Sequence, residues 1–296
     1  MKPAPFTYVR AATLDDALLK LQEWGEEAKV LAGGQSLMPL LNMRLAQPRY
    51  LIDVNGLPEM TGVDWCSETQ ALTVGALTRH RELLQHPLIE THAPLLSEAA
   101  QYIGHLAIRS RGTLGGSIAH ADPAAELPLV LTALDSTLIV RSFEGEHSIP
   151  IGDFFLGYYM TILEPNELIT AVKIPGLASN TGYAISEFAR RHGDFALASA
   201  AAVVTVDERG TITKAQCAAG GVAPNAITCP AVNDSLQGAR TLRDFSQAAQ
   251  QLENFIDPPD DVQASGDYRR CLAVELMTQA IGQAYARAVG TKEAWA

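Results

Sequence analysis

The sequence predicts an α+β protein made of two domains. Its 296 residues exceed what one small hydrophobic core organises, and 47% of them are apolar against 19% charged, which is typical of a globular chain. Strands and helices alternate through the first part, whereas three strand-like runs followed by two helices occupy the last part. Because the pattern changes after "GLASNTG", we predict domains at 1–177 and 178–296.

The first subdomain, about residues 1–57, contains an amphipathic helix and a compact strand–loop–helix–strand unit. Thr13 has the position of a helix N-cap, and Gly25 ends the helix after the apolar run "ALLKLQEW". The unit over 29–54 has two adjacent glycines between its first strand and its helix. Ser36 can cap that helix, which we expect to run through "LMPLLNMRLA".

The second subdomain, about 58–177, mixes both element types. A strand over "ALTVGAL" precedes helices around "RELLQ" and "PLLSEAAQYI", and a second glycine pair follows in "RGTLGGSIAHADPAAE". An apolar helical stretch begins near Asp122, and strands are predicted over "STLIVRS", "HSIPIGDFF" and "ELITAVKIP".

The last domain reads as a three-stranded antiparallel sheet with helices. Its strands are "YAISEFARR", "FALASAAAVVTV" and "TITKAQCAAG", with the turn "DERG" between the last two. The helices are "LRDFSQAAQQLENF" and "YRRCLAVELMTQAIGQAYARAV".

Composition excludes several classes of function. No apolar run approaches the roughly 20 residues of a membrane span, and the N-terminus lacks a signal-peptide pattern, so we expect a cytoplasmic protein. The four scattered cysteines argue against an iron–sulfur cluster or zinc site in this chain. A net charge of −11 argues against nucleic-acid binding.

The two glycine pairs point to a diphosphate ligand. Backbone N–H groups reach phosphate oxygens only where no Cβ holds the chain away, and a helix N-terminus adds further attraction. Gln35 and Ser36 follow the first pair, while Thr113 and Ser117 flank the second. Plain tight turns are the alternative, but we interpret the two loops as halves of one site.

Common nucleotide motifs do not fit. The chain has neither the G-x-x-x-x-G-K-[ST] of a P-loop nor the G-x-G-x-x-G of a Rossmann domain. Another scaffold must therefore hold the ligand.

Four segments closely resemble the FAD-binding medium subunit of the molybdenum hydroxylases, the xanthine dehydrogenase and carbon monoxide dehydrogenase family. They are "LAGGQSLMPLLNMRL", "AIRSRGTLGGSIAHADPAAELP", "GYYMTILEPNELITAVKIP" and "EFARRHGDFALASAA". The resemblance covers nearly the whole chain. It implies a two-part FAD-binding domain of the vanillyl-alcohol oxidase (PCMH) type, followed by a carbon monoxide dehydrogenase flavoprotein-like C-terminal domain.

The resemblance also implies a set of FAD-binding residues. The pyrophosphate would lie on the two glycine loops, Asp122 and Glu126 by the ribityl chain or flavin edge, and Leu168, Ile169 and Phe195 beside the flavin. Asp122 as a helix cap and Phe195 as ordinary core are the structural alternatives. The full set is Leu31, Ala32, Gly33, Gly34, Gln35, Ser36, Leu37, Ile103, Thr113, Gly115, Gly116, Ser117, Asp122, Glu126, Leu168, Ile169 and Phe195.

In this family pattern the chain is one component of an electron-transfer complex. A large subunit carries molybdopterin and a small subunit carries two [2Fe–2S] clusters, in a dimer of heterotrimers. Electrons pass through FAD to NAD, oxygen, a quinone or a cytochrome, and no catalytic residue is expected in this chain. A self-contained FAD oxidase or reductase and a non-enzymatic nucleotide-binding subunit are the alternatives.

Overall fold

The computed structural model describes residues 2–290. Within this range the strands form three larger sheets and one two-stranded hairpin. Short 3-10 turns lie at Gly25–Glu27, Pro58–Met60 and Gln251–Asn254. None of the described helices combines the length and the apolarity that crossing a membrane requires.

The N-terminal part is a small parallel sheet with two helices. Its elements are β1 (Thr7–Arg10), α1 (Leu14–Trp24), β2 (Ala28–Leu31), α2 (Leu37–Asn42) and β3 (Tyr50–Asp53). The strand order is β1-β3-β2, and both pairings are parallel. The sequence did not predict β1, which is short and mostly exposed, so its apolar pattern is weak.

The two predicted helices of this part differ in outcome. The cap of α1 is confirmed, since the Thr13 hydroxyl accepts the Asp16 N–H at 3.1 Å and Gly25 ends the helix with φ 48°. The prediction for α2 was right about its start at Leu37 but wrong about the side-chain cap and about its end. Ser36 makes no side-chain cap, and the helix stops at Asn42 because Arg44 takes φ 61°.

The middle of the chain folds around an antiparallel sheet. Its first strands are β4 (Val63–Cys66) and β5 (Ala71–Gly75). Six helices follow in chain order: α3 (His80–Leu83), α4 (Pro87–His92), α5 (Pro94–Tyr102), α6 (Leu106–Arg109), α7 (Leu114–His120) and α8 (Glu126–Ala133). The remaining elements are β6 (Thr137–Ser142), β7 (Gly145–Pro150), α9 (Ile151–Phe154), β8 (Phe155–Gly157), β9 (Met160–Thr161) and β10 (Leu168–Pro175).

Strand β10, late in the chain, forms the centre of this sheet. The order is β4-β5-β10-β6-β7, and every pairing is antiparallel. Helix α8 is buried along its whole length. It therefore lies inside the protein, between this sheet and the C-terminal part.

The C-terminal part contains a four-stranded antiparallel sheet. Its elements are β11 (Thr181–Phe188), β12 (Ala198–Val206), β13 (Ile212–Gly220), β14 (Ile227–Thr228), α10 (Pro230–Ser235), α11 (Leu242–Gln250) and α12 (Gly266–Ala288). The short β14 corrects the prediction of three strands, because two residues carry no alternating pattern. Helix α12 approaches β11 so closely that a Cβ on Gly182 would collide with the Ala284 carbonyl.

One apolar core continues from the middle sheet onto the C-terminal sheet. It contains residues of α8 together with Ile185, Ala201 and Val203 from β11 and β12. A second core lies on the other face of the C-terminal sheet, beneath α11 and α12.

Candidate functional site

The two glycine loops meet, as the sequence predicts. Gly33 is buried against the second loop, and a Cβ there would collide with the Arg111 carbonyl oxygen and lie 2.8 Å from the Gly112 Cα. A Cβ on Gly116 would lie 3.9 Å from the Cβ of Ala32. No side chain fits at Gly33 unless the loops separate, so glycine is required there for close approach.

Two side chains that the sequence interpretation missed connect the loops. The Asn55 amide donates to the Ala32 carbonyl at 2.7 Å, and the Arg79 guanidinium donates to the Asn55 amide oxygen at 2.6 Å. Arg79 also donates to the Arg111 carbonyl. Asn55 comes two residues after β3 and Arg79 four residues after β5, so the only sequence signal was a polar residue shortly after a strand.

The first loop keeps its backbone donors free. Within the described residues, none of the N–H groups from Gly33 to Leu37 donates a hydrogen bond. Gly34 takes φ +71°, a left-handed conformation that glycine adopts readily and that is typical of backbone turns with anion-binding N–H groups. The Gln35 side chain donates to the Gly33 carbonyl at 3.0 Å and braces the turn. This backbone arrangement suits a phosphate group.

The second loop, in contrast, uses most of its backbone donors internally. Gly115 N–H donates to the Ala76 carbonyl at 2.8 Å, and Ser117 N–H to the Thr113 carbonyl at 3.1 Å. Gly116 N–H donates to the Thr113 hydroxyl at 3.2 Å, which caps α7. Gly115 also packs against Ala76, where a Cβ would come within 2.6 Å of the alanine Cβ. Hydrogen bonds and close packing thus hold this loop in place within the fold. Its contact with a ligand stays a prediction.

His80 fastens the second loop to the end of β5. Its backbone N–H donates to the Gly112 carbonyl at 3.0 Å, and its Nε2 lies 2.9 Å from the Thr113 carbonyl. Burial, with a further contribution from Arg79 and Arg109, lowers the pKa of His80 from 6.5 to about 4. The ring is therefore neutral at pH 7, with Nε2 as the donor to Thr113.

Asp122 is buried close behind α7. Its carboxylate accepts the Ala124 N–H at 2.9 Å and the Tyr159 hydroxyl at 3.3 Å. Helix α8 begins only at Glu126, so Asp122 closes a turn and does not cap the helix as the structural alternative supposed. The Tyr159 ring also packs against His120 at 5.2 Å, and burial and Asp122 raise the pKa of Tyr159.

The other predicted residues lie in different surroundings. Leu31 and Leu37 are half-buried at the ends of the first loop. Ile103, Leu168 and Ile169 have side chains in the hydrophobic core. Glu126 is buried toward Glu187 of β11, and Phe195 is 61% exposed.

The structure therefore brings only part of the predicted set together. The first loop, from Leu31 to Leu37, and the second, from Thr113 to Ser117, form one region. Among the described residues no hydrogen bond or aromatic ring contact joins Phe195 to either loop, and no group of three or more histidine, cysteine or acidic side chains is placed to hold a metal ion.

Comparisons with known proteins cover almost the whole chain. A family described as the FAD binding domain in molybdopterin dehydrogenase matches residues 4–177, and the CO dehydrogenase flavoprotein C-terminal domain matches residues 183–284. The 6-hydroxypseudooxynicotine dehydrogenase complex subunit alpha of Paenarthrobacter nicotinovorans is 40% identical over 99% of each chain.

Solved structures agree. The chain is similar to carbon monoxide dehydrogenase from Hydrogenophaga pseudoflava, with a TM-score of 0.94 and 34% identity over 97% of this chain and 99% of that one. It is also similar to quinoline 2-oxidoreductase from Pseudomonas putida 86, with a TM-score of 0.92 and 34% identity over 98% and 100% of the two chains. The glycine loops thus belong to an FAD-binding domain, and the chain belongs to the family of FAD-binding medium subunits of the molybdenum hydroxylases.

Proposed function

We propose that this chain carries electrons from the [2Fe–2S] clusters of a partner subunit, through its FAD, to an external acceptor. Membership of the family supports an FAD-containing oxidoreductase subunit. The observation that carries the assignment to the glycine loops is the row of free N–H groups from Gly33 to Leu37, pressed against the second loop. A diphosphate fits such a row.

In this proposal the first loop binds the pyrophosphate and the second loop positions it. The N–H groups of Gly33, Gly34 and Gln35 donate to phosphate oxygens, and the Ser36 hydroxyl adds a side-chain donor. The start of helix α7, which Thr113 and His80 hold in place, excludes water from one side of the pyrophosphate.

Asp122 is placed to accept a hydrogen bond from a ligand hydroxyl. One of its oxygens already accepts the Ala124 N–H, and the Tyr159 hydroxyl restrains the other at 3.3 Å. Bound FAD supplies the exchange of electrons singly or in pairs, and the protein residues supply its position and electrostatic surroundings. Contacts of Phe195, Ile103, Leu168 and Ile169 with the flavin belong to the same proposal.

The assembly is part of the proposal. A large subunit with molybdopterin and a small iron–sulfur subunit complete the unit, as a dimer of heterotrimers in the cytoplasm. The names of the relatives, such as "complex subunit alpha", support a multi-subunit complex. We further propose that 1–177 and 178–296 fold as the FAD-binding and C-terminal domains.

Purification tests this function directly. The absorption spectrum of the isolated chain, followed by cofactor extraction, should show FAD without iron–sulfur absorbance. Dye reduction with the substrate of the complex should require the partner subunits. A colourless chain, or turnover by this chain alone, would contradict the proposal.

A further inference from the structure

A buried and a half-buried carboxyl group lie near each other where the middle of the chain meets the C-terminal sheet. Glu126 is the first residue of α8 and is 7% exposed, while Glu187 lies near the end of β11. Glu126 acts across the junction, since its charge raises the pKa of Glu187. Neither residue belongs to the glycine loops.

The neighbouring strands complete a polar row beneath this pair. Glu187 is directly opposite Ser199 on β12, and Ser199 is directly opposite Gly220 on β13. A Cβ on Gly220 would lie 2.7 Å from the Ser199 hydroxyl and 3.4 Å from the Pro123 carbonyl, so the row lies under the segment that leads into α8. The junction is thus tightly closed around the carboxyl groups.

Hydrogen-bond partners are missing within this junction. Among the described residues, Glu187 Oε2 and the Ser199 hydroxyl are buried without a partner. Two ionised carboxylates left in such a place would repel each other with little water to screen them. A proton retained on one carboxyl removes one charge and provides an O–H donor.

The charged groups around the pair do not neutralise it. On α5, Tyr102 lies near both Glu187 and Glu98, and Asp122 adds further negative charge beside Glu126. Arg287 of α12 is a nearby cation, but it is bonded to Glu98 at 2.9 Å and to the Tyr183 carbonyl at 2.6 Å. Its positive charge is therefore already paired.

We propose that Glu126 and Glu187 hold one proton between them at neutral pH and form a proton-dependent latch between α8 and the C-terminal sheet. Burial is the main cause that raises the pKa of Glu126 to about 7 and that of Glu187 to about 8. The latch belongs to this chain's own fold and does not rest on the proposed electron transfer.

The pH dependence has a defined sign. Between pH 4.5, the ordinary value for glutamate, and about pH 8, the folded chain binds more protons than the unfolded chain. The free energy of unfolding therefore falls as the pH rises through this window. Glutamine keeps the shape of the side chain but cannot ionise, so it removes the dependence on pH.

The test compares thermal unfolding of the full chain from pH 5.5 to pH 9 in wild type, Glu187→Gln, Glu126→Gln and the exposed control Glu253→Gln. We expect the two junction variants to lose less stability at high pH than the wild type, and the control to follow the wild type. Flavin content measured in the same samples distinguishes loss of FAD from a change at the junction.

Infrared spectroscopy gives an independent measure if a variant folds poorly. The wild type at pH 7 should show a protonated carboxyl band that disappears on titration to pH 9 and is absent from the double Glu126→Gln/Glu187→Gln variant. Equal pH profiles in wild type and Glu187→Gln, or a wild-type spectrum without this band at pH 7, would overturn the proposal.

Discussion

The two glycine loops look alike in sequence but differ in how they use their backbone. The N–H groups from Gly33 to Leu37 have no acceptor within the described residues, whereas those of Gly115, Gly116 and Ser117 are bonded within the fold. The first glycine pair thus allows close contact between the loops and, in our proposal, binding of the ligand, whereas the second serves the packing of α7. Shared composition does not imply a shared role.

The largest expected effect comes from Gly33→Ala. Its Cβ collides with backbone of the second loop, which cannot rotate away as a side chain would. We expect a loss of about 3 kcal/mol in the free energy of unfolding and loss of bound FAD. The matched control is Gly152→Ala, because a Cβ there meets nothing within 4 Å.

Chemical denaturation and the flavin absorbance per chain after gel filtration measure both effects. If Gly33→Ala retains FAD as well as Gly152→Ala does, the first loop is not pressed against the second, and the comparison fails.

The lowered pKa of His80 predicts that the fold loses stability in acid through the second loop, which His80 contacts. Its pKa falls from 6.5 in the unfolded chain to about 4 in the folded one, so the unfolded chain binds more protons between these values. Its stabilising contribution is complete above pH 6.5 and is lost as the pH falls toward 4, by about 3 kcal/mol at most.

The His80→Gln variant should have a shallower decline of melting temperature from pH 6.5 to pH 4, because glutamine does not titrate there. The wild type and the variant are compared in the same buffers. An unchanged acid slope would show that the ring is not held neutral against the loop.

Thr113→Ala should destabilise the chain in the absence of any ligand. The hydroxyl caps α7 through the Gly116 N–H, and removal of such a cap costs about 1 kcal/mol. Urea denaturation of the FAD-free chain measures the change. Thr213→Ala, whose hydroxyl bonds a strand carbonyl away from the site, is the comparison variant.

Ser36→Ala should have the smallest effect on folding. Ser36 makes no side-chain cap, so we expect a change in the free energy of unfolding within about 0.5 kcal/mol. FAD binding should weaken by about 1 kcal/mol through the lost hydroxyl donor, which titration of the FAD-free chain measures. If Ser36→Ala lost as much stability as Thr113→Ala, both loops would use a side-chain helix cap, and the difference between them would disappear.

The meeting of the loops could be predicted from the sequence, but the way they are joined could not. Adjacent glycines with polar neighbours are a local signal. Asn55 and Arg79 act through partners in three separate segments, and neither residue type is unusual at a strand end. Such a role depends on tertiary contacts that a local pattern does not contain.

Element boundaries show the same limit. The cap of α1 was predicted because Thr13 and Asp16 are three residues apart. The early end of α2 was missed because the apolar run continues to Leu45, although Arg44 has already left the helical conformation. Glu126 was predicted near the cofactor from resemblance, and its contact with the C-terminal sheet depends on β11, which is remote in sequence.

The central place of β10 has a consequence for how the polypeptide acquires its structure. Ala76, against which Gly115 packs, donates its N–H to the Thr170 carbonyl on this strand. During synthesis, both glycine pairs are therefore made long before β10, the strand that holds Ala76 in place. Non-local pairing of this kind is slow, so the two loops reach their final arrangement late, after Pro175 has been synthesised.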